Sequence, residues 1–310
     1  MMDFSRIDDF ADTNMLNKST AVFVGGGGAS SAIKNFARLG VGNIYVIDFD
    51  TIEPSNLTRQ DFYQDDIGKY KVEALAEIVK RINPDVNFVG IKKKLQDLTQ
   101  SEKDEVFGKA NIAIFGTDSF EAQAYGNLLA LEYNVPAIWA GFYAKSRTLE
   151  LFFSIPKYTS SCFRCCASSR YIDNKDEEIK VSSNCNTIFH SQLLDSFIGL
   201  VAMAILHRDR FKKITTIMHG GEVPIFPYAN ESFHFFDGMT QGNKIDYNFF
   251  QFKLSPLGGN KLFDNAYENL GMNAHNFISY WQKVDAEILE NGYEYNCPDC
   301  GGKLHKLVTA

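Results

Sequence analysis

The chain has 310 residues, of which 45% are hydrophobic and 22% charged, and its formal net charge is −7. This is the composition of a soluble globular protein long enough for one large core or two modest domains. The negative balance argues against nucleic acid or an anionic membrane surface as the main partner, and no apolar run is expected to approach the roughly 20 residues of a membrane span.

Residues 1–20 are polar and weakly patterned, the profile of an arm or a short helix. They hold neither the basic nor the apolar part of a secretory signal, so a cytoplasmic location is expected. From Ala21 strand and helix signals alternate. Ala21–Val24 reads as a buried strand that ends in Gly25-Gly-Gly-Gly28 and opens into a helix over Ser30–Leu39. A second strand, Asn43–Asp48, ends in a carboxylate twenty residues after Gly28. A polar loop, Asp50–Gly68, contains Pro54 and leads into an amphipathic helix, Lys69–Ile82. Val72, Leu75, Ala76, Ile78, Val79 and Ile82 share its apolar side, and Asn83-Pro84 ends it. Asn87–Ile91 and Ile112–Phe115 follow as strands, the second ending in Gly116-Thr-Asp118 before a helix from about Ser119 to Tyr133. Pro136 introduces a fifth strand, Ala137–Ala140.

This alternation predicts an α/β protein: a Rossmann-like, mostly parallel sheet with helices on both faces. Ligands in such sheets bind beyond the carboxyl ends of the strands, where Gly25–Gly28, Asp48 and Asp118 all fall. Beyond Leu149 the pattern changes. Leu149–Ile155 is another apolar strand, followed by Cys162-Phe-Arg-Cys-Cys166. Ala167–Thr187 is rich in charge and serine with no apolar period, and reads as a mobile loop. Leu193–His207 reads as an apolar core helix, and residues 213–296 hold many aromatics among turn residues, with no legible topology. The expected division is an arm over 1–20, a nucleotide-binding core over 21–155, and a zinc-pinned, crossover-loop and acceptor-binding region over 156–310.

Glycines at the end of a first strand let backbone N–H groups approach a phosphate, and the helix start adds a partial positive charge. Asp48 then stands where a ribose is held. The glycines run into no Gly-Lys-Ser/Thr, which excludes a Walker-type loop. Up to this point NAD, FAD and ATP fit equally. The stretch Ser55-Asn56-Leu-Thr-Arg59-Gln60, followed by Gly68-Lys-Tyr-Lys71, argues for ATP. Joining a carboxylate to the α-phosphate of ATP requires that phosphate charge be offset and the reacting anions aligned. Arg59 offers a bidentate fork and Lys71 a point charge. Asp118 is the first candidate to hold Mg²⁺ and Asp50 the second, while Asn56 suits a ribose or phosphate oxygen. Cys162-x-x-Cys165 and Cys297-x-x-Cys300 supply four thiolates, the donor set of a closed structural Zn²⁺ site, with Cys166 as a spare.

Together the glycine turn, Asp48-x-Asp50, Ser55-Asn-Leu-x-Arg59-Gln60, Gly68-x-x-Lys71 and the strand ending in Asp118 resemble the ThiF/MoeB/HesA adenylating enzymes, which share their fold with ubiquitin-activating enzymes. The resemblance is close from Ala21 to Ala140 and looser up to the cysteine pairs. It implies ATP contacts at Gly25, Gly27, Gly28, Asp48, Asp50, Asn56, Arg59, Gln60, Lys71 and Asp118. It implies catalytic roles for Arg59, Lys71 and Asp118, and a homodimer that adenylates the C-terminal carboxylate of a small ubiquitin-like protein or peptide. In relatives that go further, a cysteine at the position of Cys185 attacks the acyl-adenylate; an ordinary loop thiol is the equal alternative here. Two positions depart from the pattern. Ser30 stands where the family usually has glycine, and only Arg6 is available as the N-terminal arginine that reaches a partner's site. Two other readings stay open: an NAD-dependent oxidoreductase using the same glycines and Asp48, and a non-catalytic partner subunit of an activating complex.

Overall fold

A computed structural model describes residues 2–7, 11–142, 148–159, 161–173, 186–207, 215–218, 221–224, 240–241, 244–245, 248–253, 279–282 and 297–300. Short β-branched and aromatic runs make the central strands. β1 (Thr20–Val24), β2 (Asn43–Ile47), β3 (Asn87–Ile91), β4 (Ile112–Phe115) and β5 (Ala137–Phe142) are parallel, and β6 (Thr148–Ser154) turns back antiparallel to β5. The connecting helices are α1 (Thr13–Lys18), α2 (Ser30–Arg38), α3 (Lys71–Ile82), α4 (Gln100–Phe107) and α5 (Phe120–Glu132). After β6 come α6 (Phe163–Cys166), α7 (Ser168–Asp173) and α8 (Ile188–Leu206). Two small hairpins follow, β7 (Thr215–Met218) with β8 (Gly221–Pro224) and β9 (Thr240–Gln241) with β10 (Lys244–Ile245). β11 (Phe249–Lys253) and β12 (Ser279–Gln282) then rejoin the main sheet, whose order is β12-β11-β6-β5-β4-β1-β2-β3.

Alternation along β1 builds the two faces. Ala21 and Phe23 join a core with Ile33 and Phe36 of α2, Leu75 and Val79 of α3, and Ile198 and Val201 of α8. Val22 and Val24 join the opposite core with Phe107 of α4, Leu129 of α5, Trp139 of β5 and Phe163 of α6. Phe23 and Phe36 meet edge to face at 5.1 Å, so emptying that contact by Phe23→Ala would cost about 3–5 kcal/mol. The chain leaves β1 for β2 on one side and returns through β4 on the other. The crevice between the carboxyl ends of β1 and β4 is therefore the topological switch point, the position where such sheets hold ligands.

Three expectations need correction. Part of the supposed loop over Ala167–Thr187 is helical: α7 covers Ser168–Asp173, seated by Tyr171, whose ring packs on Phe120. The helix expected over Leu193–His207 begins earlier and runs 19 residues, long and apolar enough to cross a membrane, contrary to the expectation of no such run. Half of its most apolar window is buried, it packs on β4, β5, β6 and α2, and Asp195 lies inside it, so in this fold it is a core helix. On α3, Ala74 rather than Ala76 faces the core.

Candidate nucleotide site

The site is assembled around the turn after β1. Gly25 adopts φ +92°, and a Cβ there would lie 3.1 Å from the backbone of Gly116 and Thr117, so only glycine lets the ends of β1 and β4 approach this closely. The Gly26 amide donates to Asp48 Oδ2 at 2.7 Å, and the Asp50 amide donates to Asp48 Oδ1 at 2.8 Å. Burial pushes the Asp48 carboxyl up, opposed by the charge of Lys71 and by these two amides. Each carboxylate oxygen keeps a lone pair for a further donor.

The next three amides are free. Gly27, Gly28 and Ala29 donate their N–H groups to no acceptor among the described residues, and Ala29, the cap of α2, has no side-chain oxygen to offer. Unmatched amides at a helix start form a ready anion site. Beside them sits Gln60. A Cβ on Gly27 would fall 2.7 Å from its Nε2, and its buried Oε1 has no partner among the described residues. A buried acceptor without a donor, next to amides without acceptors, fits a ligand that bears both an anion and hydroxyl or amino groups.

Arg59 and Gln60 are delivered by a 3₁₀ turn over Pro54–Thr58. Asn56 Oδ1 accepts the Glu53 amide at 2.9 Å, and the Asn56 carbonyl accepts the Gln60 amide at 2.8 Å. Asn56 thus shapes the turn, and its expected contact with the ligand falls to its remaining amide donor. Arg59 is half-buried and has no carboxylate partner among the described residues. Lys71 opens α3 and is buried, with its Nζ 2.7 Å from Asp50 Oδ2. That pair takes one of three ammonium donors and makes Asp50 a lysine partner as much as a cation ligand. Asp118 is exposed and unpaired among the described residues. Ser119, and not Asp118, caps α5 by accepting the Ala122 amide at 3.2 Å, which leaves the Asp118 carboxylate free.

A clamp that sequence reasoning missed holds the arginine loop to α2. Ser30 Oγ accepts the Asp61 amide at 2.9 Å, Ser31 Oγ donates to Asp61 Oδ2 at 3.0 Å, and buried Lys34 pairs with the same carboxylate while donating to the Asp61 carbonyl at 3.0 Å. Ser30, standing where the family usually has glycine, is buried in this clamp. No local pattern announces a contact between positions so far apart in sequence. Phe4 packs on Gly40, at the end of α2 away from the glycine turn.

The second cluster is built from Cys162, Cys165, Cys297 and Cys300, all buried, whose sulfurs lie within 4.8 Å of one another. Three of the Sγ···Sγ distances are 3.7, 3.8 and 3.8 Å. A tetrahedron with Zn–S bonds of about 2.3 Å has an edge of about 3.8 Å. Asn127 orients the group: its Nδ2 donates to Asp299 at 2.8 Å and approaches Cys162 Sγ at 3.6 Å, and its Oδ1 accepts the Phe163 amide at 2.9 Å. Arg164 closes the ring on Asp299 at 2.7 Å. Cys166 is buried outside the group, in line with the regular Cys-x-x-Cys spacing. Cys185 lies outside the described residues.

The ThiF family model matches residues 1–241. The chain belongs to the ThiF family. Among its relatives in that family, the SAMP-activating enzyme E1 of Haloferax volcanii is 32% identical over 130 residues, which cover 41% of this chain and 47% of that protein. Ubiquitin-like modifier-activating enzyme 5 of Drosophila ananassae is 25% identical over 252 residues, covering 77% of this chain and 61% of its own length. The E. coli MccB structure with ATP superimposes with a TM-score of 0.52 at 22% identity, over 63% of this chain and 57% of MccB, a likeness of fold. The matched stretch spans about half the length of the first of these relatives.

Proposed function

We propose that this ThiF-family chain is an ATP-dependent adenylating enzyme that joins the C-terminal carboxylate of a small ubiquitin-like protein or peptide to AMP. The observation that carries this reading is the run of three unmatched amides, Gly27 to Ala29, at the start of α2, between buried Asp48 and the orphaned oxygen of Gln60. The amides hold phosphate, Asp48 accepts from ribose hydroxyls, and Gln60 Oε1 accepts from the same ligand. Arg59, unpaired and half-buried beside Gln60, and Lys71, with two donors left, offset the charge that builds up as the carboxylate attacks the α-phosphate and pyrophosphate leaves. Asp118, exposed and unpaired among the described residues, would hold a Mg²⁺ ion, which would supply positive charge against the phosphates. The four thiolates fit a structural Zn²⁺ that fastens residues 297–300 to α6.

The names of the relatives support the acceptor class: one is a SAMP-activating enzyme and the other activates a ubiquitin-like modifier. A homodimer in the cytoplasm, and transfer of the acyl group to Cys185, complete the proposal. The NAD-dependent reading gives Arg59 and Lys71 no task, and a non-catalytic subunit has no use for so complete a set of charged groups.

The test is ATP–pyrophosphate exchange with a panel of modifier-type carriers and peptides. Exchange by the wild type, reduced at least a hundredfold in Arg59→Ala, Lys71→Ala and Asp118→Ala, is the expected result. Full exchange by all three variants would remove the assignment.

A further inference from the structure

The adenylation chemistry leaves one buried carboxylate at the same turn without a task. Asp195 lies midway along α8 with 3% of its surface exposed. Its Oδ2 accepts the Ala32 amide at 3.0 Å, and its Oδ1 is buried without a partner among the described residues. Burial pushes this carboxyl well up, opposed by the amides of Ala32 and Ser31. Around it α8 is apolar: Leu194, Ile198, Val201 and Ala202 pack into the core. A leucine would serve that packing better, because an unpaired buried acceptor costs about 1–3 kcal/mol. What the carboxylate supplies is direction. It does for α2, from 163 residues further along the chain, what a Ser, Thr or Asp does at an N-cap, and Ala29 at the cap itself cannot do this.

We propose that Asp195 is a positioning residue for the nucleotide: by accepting from the first turn of α2 it orients that turn so that the Gly27, Gly28 and Ala29 amides converge on phosphate. The same contact ties α8 to the first turn of α2. This inference rests on the adenylation reading and deepens it. Asp195 touches no substrate atom; it acts through the backbone of α2.

The experiment compares wild type, Asp195→Asn and Asp195→Leu by calorimetric titration with a non-hydrolysable ATP analogue and by pyrophosphate exchange. The asparagine keeps an acceptor for the Ala32 amide; the leucine removes it. Asp195→Leu is expected to raise the Kd and the KM for ATP about tenfold with kcat within threefold, a loss of about 1.4 kcal/mol in binding, while Asp195→Asn stays within threefold of wild type. If Asp195→Leu is insoluble, Asp195→Glu takes its place, since it shifts the acceptor by one methylene and should also weaken binding. Unchanged affinity in the leucine or glutamate variant, or an equal loss in the asparagine variant, would overturn the proposal. Failure of the wild type itself to bind the analogue would instead overturn the adenylation reading on which it stands.

Discussion

Removing the carboxylate of Asp61 should unfasten the arginine loop and strand a charge in the core. The Lys34 side chain is only 4% exposed, and its ammonium is neutralised by Asp61, itself 29% exposed. Breaking one partner of a buried pair costs about 3–5 kcal/mol, chiefly because the remaining charge is left without compensation. Lys34 keeps the Asp61 carbonyl at 3.0 Å, and the carboxylate is partly solvated, so Asp61→Ala belongs at the low end, at about 3 kcal/mol. For a chain of this size that is a fall in melting temperature of roughly 5 °C. Adding Lys34→Met removes the stranded charge and should bring stability back to within about 1 kcal/mol of wild type. Exchange activity should stay low in both variants, since both lack the carboxylate that Ser31 and Lys34 hold and through which α2 steadies the segment bearing Arg59. Urea titration and thermal melts of the two single variants and the double variant, alongside the exchange assay, give the full cycle. Additive losses in the double variant, or a cost below about 1 kcal/mol for Asp61→Ala, would refute the reasoning.

Gly27→Ala places a Cβ 2.7 Å from Gln60 Nε2; because that side chain can swing away, ATP affinity should fall about tenfold while the melting temperature moves by no more than about 2 °C. Metal analysis of the purified protein should find about one Zn²⁺ per chain, and Cys297→Ser or a strong chelator should remove it and expose residues 297–300 to proteolysis. His207 is held neutral, its Nδ1–H donating to the Met203 carbonyl and its Nε2 accepting the Asp12 amide at 2.9 Å, and burial lowers its pKa. The unfolded chain therefore takes up the proton first. The contribution is complete above about pH 6.5 and is lost as pH falls below it, at no more than about 1.4 kcal/mol per pH unit. Urea midpoints between pH 7.5 and 5.5 should show a shallower pH dependence in His207→Gln than in the wild type.

The sheet was legible because strands such as Thr20–Val24 and Ile112–Phe115 are short buried runs bracketed by glycine, proline or a polar turn. α4 escaped notice because Gln100–Phe107 buries only Val106 and Phe107 and shows no apolar period. Its start was nevertheless written in Thr99-x-x-Glu102, which forms a reciprocal capping box. Cysteine spacing announced the four-sulfur cluster, and glycine spacing announced the turn after β1. Asn56 was readable both as a turn former and as a ligand contact, and its side-chain oxygen is spent on the turn. Lys34, Asp61 and Asp195 could not be read in advance: each looks ordinary in its own neighbourhood, and their meaning comes from packing that joins α2, the loop after Gln60 and α8.

The return of β11 to the free side of β6 decides where this protein can be cut. Phe249, Phe250 and Phe252 lie opposite Phe152, Leu151 and Leu149 across that pairing. Ending the chain before Asn248 would strip the covering strand from β6 and leave a greasy ribbon of unpaired amides and carbonyls, which invites edge-to-edge aggregation. A fragment of the sheet that stays in solution has to keep the phenylalanine-rich strand, although that strand pairs with β6 and not with β1 or β4.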